Sequence, residues 1–321
     1  MKKEEVKEIP VYVFMGFLGS GKTQFAKDTL IKQNFTEGQK TLLLVCEDGE
    51  EEYDAEELKK KNIFLEFITD ETLTTDYLLE LSRKYQPENV MIEYNGMWEL
   101  DKIFQIRVPK GWTVVQIISF VDATTFDVYV TNMKKVMMDQ LRNADMVIFN
   151  RCDENTKKAE YRRSIRAVNR RAQIIFENMN GETDNGTDEE IELPFDISGP
   201  KIELAEEDFG LFYADAADNP DKYVGKEIHF KAQVHRPKNY SDQTFVPGRF
   251  AMTCCAADIA FVGFKCYYGG AKTLKDREWV MVTGTIQKEF YPEFGGEGPV
   301  IYADSVAMTS AAADELVYFT Y

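Results

Sequence analysis

Residues 16–23 read GFLGSGKT and follow closely on the apolar run VYVF at 11–14. The stretch fits G-x-x-x-x-G-K-[ST], a loop that needs a strand before it and a helix after it. Gly16, Gly19 and Gly21, with Ser20 between them, allow a backbone turn that aims N–H groups at phosphate oxygens, and the next helix offers its positive N-terminus. Lys22 supplies a point charge to the β- and γ-phosphates, and the Thr23 hydroxyl can complete a Mg²⁺ shell. The plainer alternative is a glycine-rich turn between strand and helix with no ligand.

The rest of the first half carries the same architecture. Val11–Phe14, Thr41–Val45, Val90–Glu93, Val114–Val121, Met146–Asn150 and Gln173–Phe176 read as strands, with helical stretches at Thr23–Gln33, Thr75–Tyr85 and Thr156–Arg170. Strands separated by helices imply a parallel, covered sheet. The expected class is α/β, a P-loop NTPase sheet with helices on both faces, over 1–178. Residues 179–204 are rich in Asn, Gly, Asp and Glu and are expected to form an acidic linker. From 205 to 321 the pattern turns β-branched and aromatic, with strands expected at Lys226–His235, Arg249–Cys254, Phe261–Tyr268, Trp279–Ile286 and Pro299–Ala303. Five short strands with glycine-containing turns predict a small, all-β, OB-like barrel.

A phosphate loop selects neither base nor reaction. The strand MVIF at 146–149 ends in Asn150-Arg151-Cys152-Asp153, close to the guanine signature N-K-x-D. Asp153 can accept from guanine N1–H and the 2-amino group, a pairing adenine cannot make, and Arg151 stands where the signature has Lys. The alternative is a strand-end turn that uses Asn150 and Asp153 locally. Two further strand ends carry acids: Glu93, followed by Asn95 and Gly96, suits a metal-shell or water-positioning role, and Glu47, Asp48 and Glu50 follow TLLLV. Asp122 is similarly placed. Each is also what a solvated strand end in an acidic protein looks like.

The chain holds 38 basic and 55 acidic residues, a net charge of −17, which repels phosphate backbones and anionic lipid, so no nucleic-acid partner is expected. The 12 basic and 18 acidic residues of 201–321 argue against a basic, single-strand-binding groove there as well. The longest apolar stretch, Thr113–Val121, falls far short of the ~20 residues a membrane span needs, and MKKEEVKEIP lacks a signal peptide's apolar region. No membrane insertion and a cytoplasmic location are expected. With 44% hydrophobic residues, including 22 Phe and 16 Tyr, ordered cores are affordable and global disorder is excluded. Cysteines at 46, 152, 254, 255 and 266 form no regular framework and point to reduced thiols. Cys254 or Cys255, with Cys266 and either His229 or His235, could supply a Zn²⁺ site; small buried thiols are the alternative reading, since adjacent strand residues face opposite ways.

Taken together, GFLGSGKT, Cys46-Glu47-Asp48-Gly49 with Asp54, Glu93-Tyr94-Asn95-Gly96, Val121-Asp122-Ala123 and NRCD resemble the CobW-like (CobW/HypB/UreG) GTPases over about residues 8–178. The resemblance implies GTP and Mg²⁺ as ligands, Glu47 and Glu93 near Mg²⁺ and the γ-phosphate, and a role in metal homeostasis or in metallochaperone-type control of a partner. One departure matters: the family commonly carries C-x-C-C between the two acidic segments, where this chain has LEFITDETLTTD and no cysteine. Three thiolates make a soft-metal site. Their loss takes away that reason to expect Zn²⁺ in the first domain. From Phe209 onward, YVGKEIHFKAQV, GRFAMTCCAAD and WVMVTGTI resemble the soluble domain of YcgQ-type proteins, which accompany predicted bacterial permeases, so a protein partner or permease system enters as an expectation.

The leading expectation is a GTPase that uses Lys22 and Glu93 in catalysis and whose cycle alters a surface read by a partner. A phosphate-loop kinase acting on a small molecule is a second reading, for which no arginine-rich lid is seen. A non-catalytic, nucleotide-gated adaptor is a third.

Overall fold

The computed structural model describes residues 8–47, 49, 52–169, 171–186, 193–252, 259–292 and 294–319. The chain divides into two compact units, Met1–Lys158 with Ala172–Asp188, and Ala159–Arg171 with Glu189–Tyr321.

The first unit contains strands β1 (Ile9–Met15), β2 (Thr41–Val45), β3 (Ile63–Phe67), β4 (Asn89–Glu93), β5 (Trp112–Asp122), β6 (Met146–Cys152), β7 (Gln173–Asn178) and β8 (Thr183–Asp184). They align in the order β3-β2-β4-β1-β5-β6-β7-β8, parallel except for β8, which runs antiparallel to β7. Every residue of β2 and β4 is buried, which is why LLLV and VMI run apolar without alternation. Phe14, Leu43, Met91, Ile118, Phe120 and Ile148 share one core. From β1 the chain passes to β2 and β3 on one side, returns to β4, then crosses to β5 on the other side. The carboxyl ends of β1 and β4 therefore border a topological switch point, where open α/β sheets bind ligands.

Helices α1 (Lys22–Lys27), α2 (Ala55–Lys60), α3 (Thr75–Tyr85), α4 (Leu100–Gln105), α5 (Phe126–Asn132) and α6 (Lys134–Arg142) lie between these strands, and α1 continues as a π-helical turn over Asp28–Lys32. Strand β3 was not foreseen: IFLEF is a mostly apolar run at the sheet edge, too short for its period to mark it as a strand.

The second unit closes five strands into a barrel. Strands β10 (Glu227–His235), β11 (Thr244–Ala251), β13 (Lys265–Tyr267), β15 (Gly296–Met308) and β14 (Trp279–Tyr291) pair in that order, and β14 returns to β10. Only β13 and β15 are parallel within this circuit, the arrangement of an OB-like fold. Strands β9 (Lys201–Glu203), β12 (Ala260–Gly263) and β16 (Leu316–Val317) extend its edges. The expected strand Phe261–Tyr268 is two strands, β12 and β13, interrupted at the buried Phe264. The second strand runs from Thr244 to Ala251 rather than from Arg249 onward.

Two expectations need correction. Residues 179–204 are not simply a linker: β8 joins the first sheet, β9 pairs with β10, and Phe195 and Ile202 are buried in the barrel core. Helix α7 (Lys158–Val168), expected within 1–178, groups from Ala159 onward with the second unit. There Arg162 Nε and Nη2 donate to the two carboxylate oxygens of Asp218 at 2.6 and 2.9 Å, and Arg166 Nε donates to Oδ1 at 2.8 Å. Asp218 ends α8 (Phe209–Asp218), whose Phe209 stacks on Phe230 of the barrel. The arginines of α7 serve this packing.

Candidate functional site

The loop after β1 is shaped by where its glycines lie. Gly21 has φ +98°, and a Cβ there would stand 2.2 Å from Asn150 Nδ2, so neither the backbone angle nor the space admits a side chain. Asn150 donates in turn to the Ser20 carbonyl. The Ser20 side chain is buried, and its Oγ has no hydrogen-bond partner among the described residues. Lys22 is also buried, its Nζ donating to the carbonyls of Gly16 at 2.8 Å and Phe17 at 3.0 Å and to Glu47 Oε2 at 2.5 Å. The ammonium is thereby held on the inner side of its own loop.

Glu93 ends β4 beside β1, and its carboxylate is divided between two hydroxyl donors. Thr23 Oγ1 donates to Oε1 and the Tyr53 phenol donates to Oε2, both at 2.6 Å. Burial first, and then the Glu93 charge, push the Tyr53 phenol well above its ordinary value, so it stays a donor. Three residues beyond Glu93, Gly96 packs against the phosphate loop; a Cβ there would stand 2.2 Å from the Gly16 carbonyl oxygen. Gln140 Nε2 holds the Gly96 carbonyl at 2.7 Å.

The other flank comes from a bulge. The β6–β7 register shifts between Phe149 and Cys152, and Arg151 takes a φ of +55°. A bulge re-aims side chains at a strand end. Here it turns Asn150 to Ser20 and Arg151 to the Gly19 carbonyl at 2.9 Å, with Asp122 as the guanidinium's ion-pair partner. Asp153 is exposed, and its Oδ1 accepts from the Asn155 N–H at 2.9 Å and the Thr156 hydroxyl at 3.1 Å. The Thr156 bond foremost, then the Asn155 N–H, hold its carboxyl below the usual range.

These elements enclose a cavity of about 450 Å³ whose wall includes Gly21, Lys22, Thr23, Glu47, Glu93 and Arg151. Gly16, Ser20 and Asn150 support the loop from behind, and Asp153 stands outside the lining. Hydroxyl and carboxylate oxygens such as those of Thr23 and Glu93 are the hard donors Mg²⁺ takes, and the glycine-tight loop suits phosphate. Tyr53 and Gln140 were not anticipated. The one signal for Tyr53 was an isolated aromatic in the acidic run CEDGEEEYDAEE.

The cysteines among the described residues are buried free thiols. The Cys46 thiol is buried, and burial, then the charges of Glu93 and Glu47, push it up to about 12. Cys266 is buried and likewise raised, His229 Nδ1 bonds Thr283 Oγ1 at 2.7 Å, and His235 Nδ1 lies 3.1 Å from Asp276. Cys254, Cys255 and Asp258, like Asp48 and Glu50, lie outside the described residues. Among the described residues no three His, Cys, Asp or Glu side chains are grouped to hold a metal ion.

Two family models match the chain. Residues 10–176 match the CobW/HypB/UreG nucleotide-binding domain, and residues 179–319 match the DUF1980 C-terminal domain. The UPF0703 protein YcgQ of Bacillus subtilis (strain 168) is 24% identical over 121 residues, 38% of this chain and 42% of that protein. The chain thus spans less than half the length of that curated relative. Among solved structures, the hydrogenase maturation factor HypB from Archaeoglobus fulgidus gives a TM-score of 0.39 at 20% identity, over 54% of this chain and 82% of its own. The Zn(II)-bound YjiA GTPase from E. coli gives 0.44 at 20% identity, over 71% and 74%.

Proposed function

Because the chain belongs to the CobW/HypB/UreG family, with a P-loop nucleotide-binding fold, we propose that it binds GTP with Mg²⁺ and hydrolyses it slowly to control a partner protein in metal homeostasis. The observation that carries this reading is the convergence of Lys22, Thr23 and Glu93 on one cavity beneath a glycine-tight loop. Lys22 neutralises phosphate charge on exchanging Glu47 for phosphate oxygens. Thr23 and Glu93 would hold Mg²⁺, and Glu47 is the further candidate ligand. Mg²⁺ bound there would neutralise phosphate charge. Glu93 orients the attacking water, and Asn150 and Arg151 keep the loop in shape. Asp153 accepts from the guanine edge once its exposed carboxylate turns from the local cap.

The partner-facing surface is assigned to the barrel, where the likeness to YcgQ lies, and a permease-associated protein is the class of partner that likeness favours. No helix among the described residues is long and apolar enough to cross a membrane; a cytoplasmic location is part of the proposal. Any tight Zn²⁺ binding is assigned to the barrel, because the chain has no cysteine between Cys46 and Cys152.

The test is titration of the whole protein with GTP, GDP and ATP, with and without Mg²⁺. A guanine preference that Asp153→Asn reduces about tenfold or more, with phosphate affinity kept, is expected, since a charged hydrogen bond is worth about that much. Equal affinity for ATP and GTP would remove the guanine assignment. Absence of turnover with tight binding would leave the nucleotide-gated adaptor in its place.

A further inference from the structure

Glu93 is 3% exposed, and each of its carboxylate oxygens accepts one hydroxyl. The Thr23 side is expected of a phosphate-loop protein; the Tyr53 side comes from elsewhere in the chain. Tyr53 lies between β2 and α2, on the segment that also delivers Glu47 to Lys22. Two contacts flank the bond it makes. Asp54, the next residue, caps α2 by accepting from the N–H groups of Glu56 at 2.9 Å and Glu57 at 3.1 Å. The ring lies beneath Lys27 of α1, whose Nζ is 5.8 Å from the ring centroid. The phenol is thus presented to Glu93 from the start of a capped helix.

We infer that Tyr53 is a positioning residue for the Mg²⁺ pair: its hydroxyl locks the Glu93 carboxylate in the rotamer that turns Oε1 to Thr23. The inference rests on Thr23 and Glu93 being that pair. A carboxylate with one oxygen released can rotate about its terminal torsion, which is broad and offers little resistance of its own. Without the phenol, holding Oε1 on Thr23 costs rotational freedom at the moment Mg²⁺ binds. The loss therefore falls on Mg²⁺ affinity and leaves the phosphate grip of Lys22 alone.

The experiment measures the affinity of the full chain for a fluorescent GDP analogue as Mg²⁺ is raised from zero. Tyr53→Phe is expected to raise the half-saturating Mg²⁺ concentration about tenfold, the value of a hydrogen bond to a charged group, with affinity in chelator unchanged. In a Glu93→Ala background the same substitution is expected to add almost nothing, because interacting residues are non-additive. Tyr53→Gln, which returns an N–H donor to the position, should recover part of the loss, and this arm stands even if the phenylalanine variant folds poorly. A Mg²⁺-dependent wild type with an unchanged Tyr53→Phe, a full effect without Glu93, or no recovery with Gln overturns the positioning role alone. A wild type whose nucleotide affinity ignores Mg²⁺ overturns the assignment of Thr23 and Glu93, and this inference with it.

Discussion

Lys22 Nζ lies 2.5 Å from Glu47 Oε2, with the two side chains 2% and 7% exposed. The cation assigned to phosphate thus has a carboxylate partner from a segment 25 residues away. A buried pair is costly to break from one side, because the charge left behind has neither water nor partner.

Lys22→Met is expected to abolish tight triphosphate binding and to lower stability by about 3 kcal/mol, the cost of an orphaned buried charge. Lys22→Met with Glu47→Met should recover most of that stability and none of the binding. Thermal unfolding and titration calorimetry on the three proteins decide the point. A double variant as unstable as the single would show that Glu47 is not the charge at issue.

Gly96 and Gly19 separate crowding from backbone angle. Gly19 has φ +77° and nothing within 4 Å of a built Cβ, whereas a Cβ on Gly96 runs into the backbone of Gly16 and Phe17. Gly19→Ala should therefore cost only about 1 kcal/mol of left-handed strain. Gly96→Ala must displace the phosphate loop, so it should lose far more nucleotide affinity. A reversed order in a binding titration would refute this account of the loop.

Buried thiols set an alkaline limit. Burial raises Cys46 from 9.0 to about 12 and Cys152 from 9.0 to about 11. The folded state therefore keeps protons that the unfolded chain gives up. This contribution is complete below pH 9.0 and is lost as pH rises through about 11 and 12. Urea unfolding between pH 8 and 11 should show a falling stability whose slope flattens in Cys46→Ala with Cys152→Ala, relative to their own value at neutral pH. The same slope in both proteins would assign the fall to other groups.

Asp218 binds α7 to the barrel unit through Arg162 and Arg166, with side chains 13–14% exposed. Asp218→Asn should destabilise that unit by about 2 kcal/mol, less than for a fully enclosed network because water still reaches it. A fragment of residues 179–321 lacks both arginines and should be weakened at least as much. Equal stability of fragment barrel and intact barrel, followed by near-ultraviolet circular dichroism, would assign α7 no part in it.

The elements legible from composition and spacing are those whose chemistry is contiguous. GFLGSGKT works through its own backbone, and β2 and β4 are apolar because both sheet faces are covered. The NRCD turn follows an equally plain strand. Strand β3 and the pairing of β9 were not legible: one is a five-residue run at the sheet edge, and the other, in an acidic stretch, buries only Ile202 of its three residues.

What the amino-acid sequence determined alone was thus the phosphate loop, the central parallel strands and a small barrel, since each is encoded in local backbone freedom and hydrophobic period. Tertiary structure decided which acid meets which donor. Glu47, Asp48, Glu50, Glu93 and Asp122 are alike as letters near strand ends, yet Glu47 takes Lys22 and Glu93 takes Thr23 from 70 residues away and Tyr53 from 40. Strand order brings these groups together, and a hydrogen bond depends on distances of a few tenths of an ångström that no spacing along the chain records.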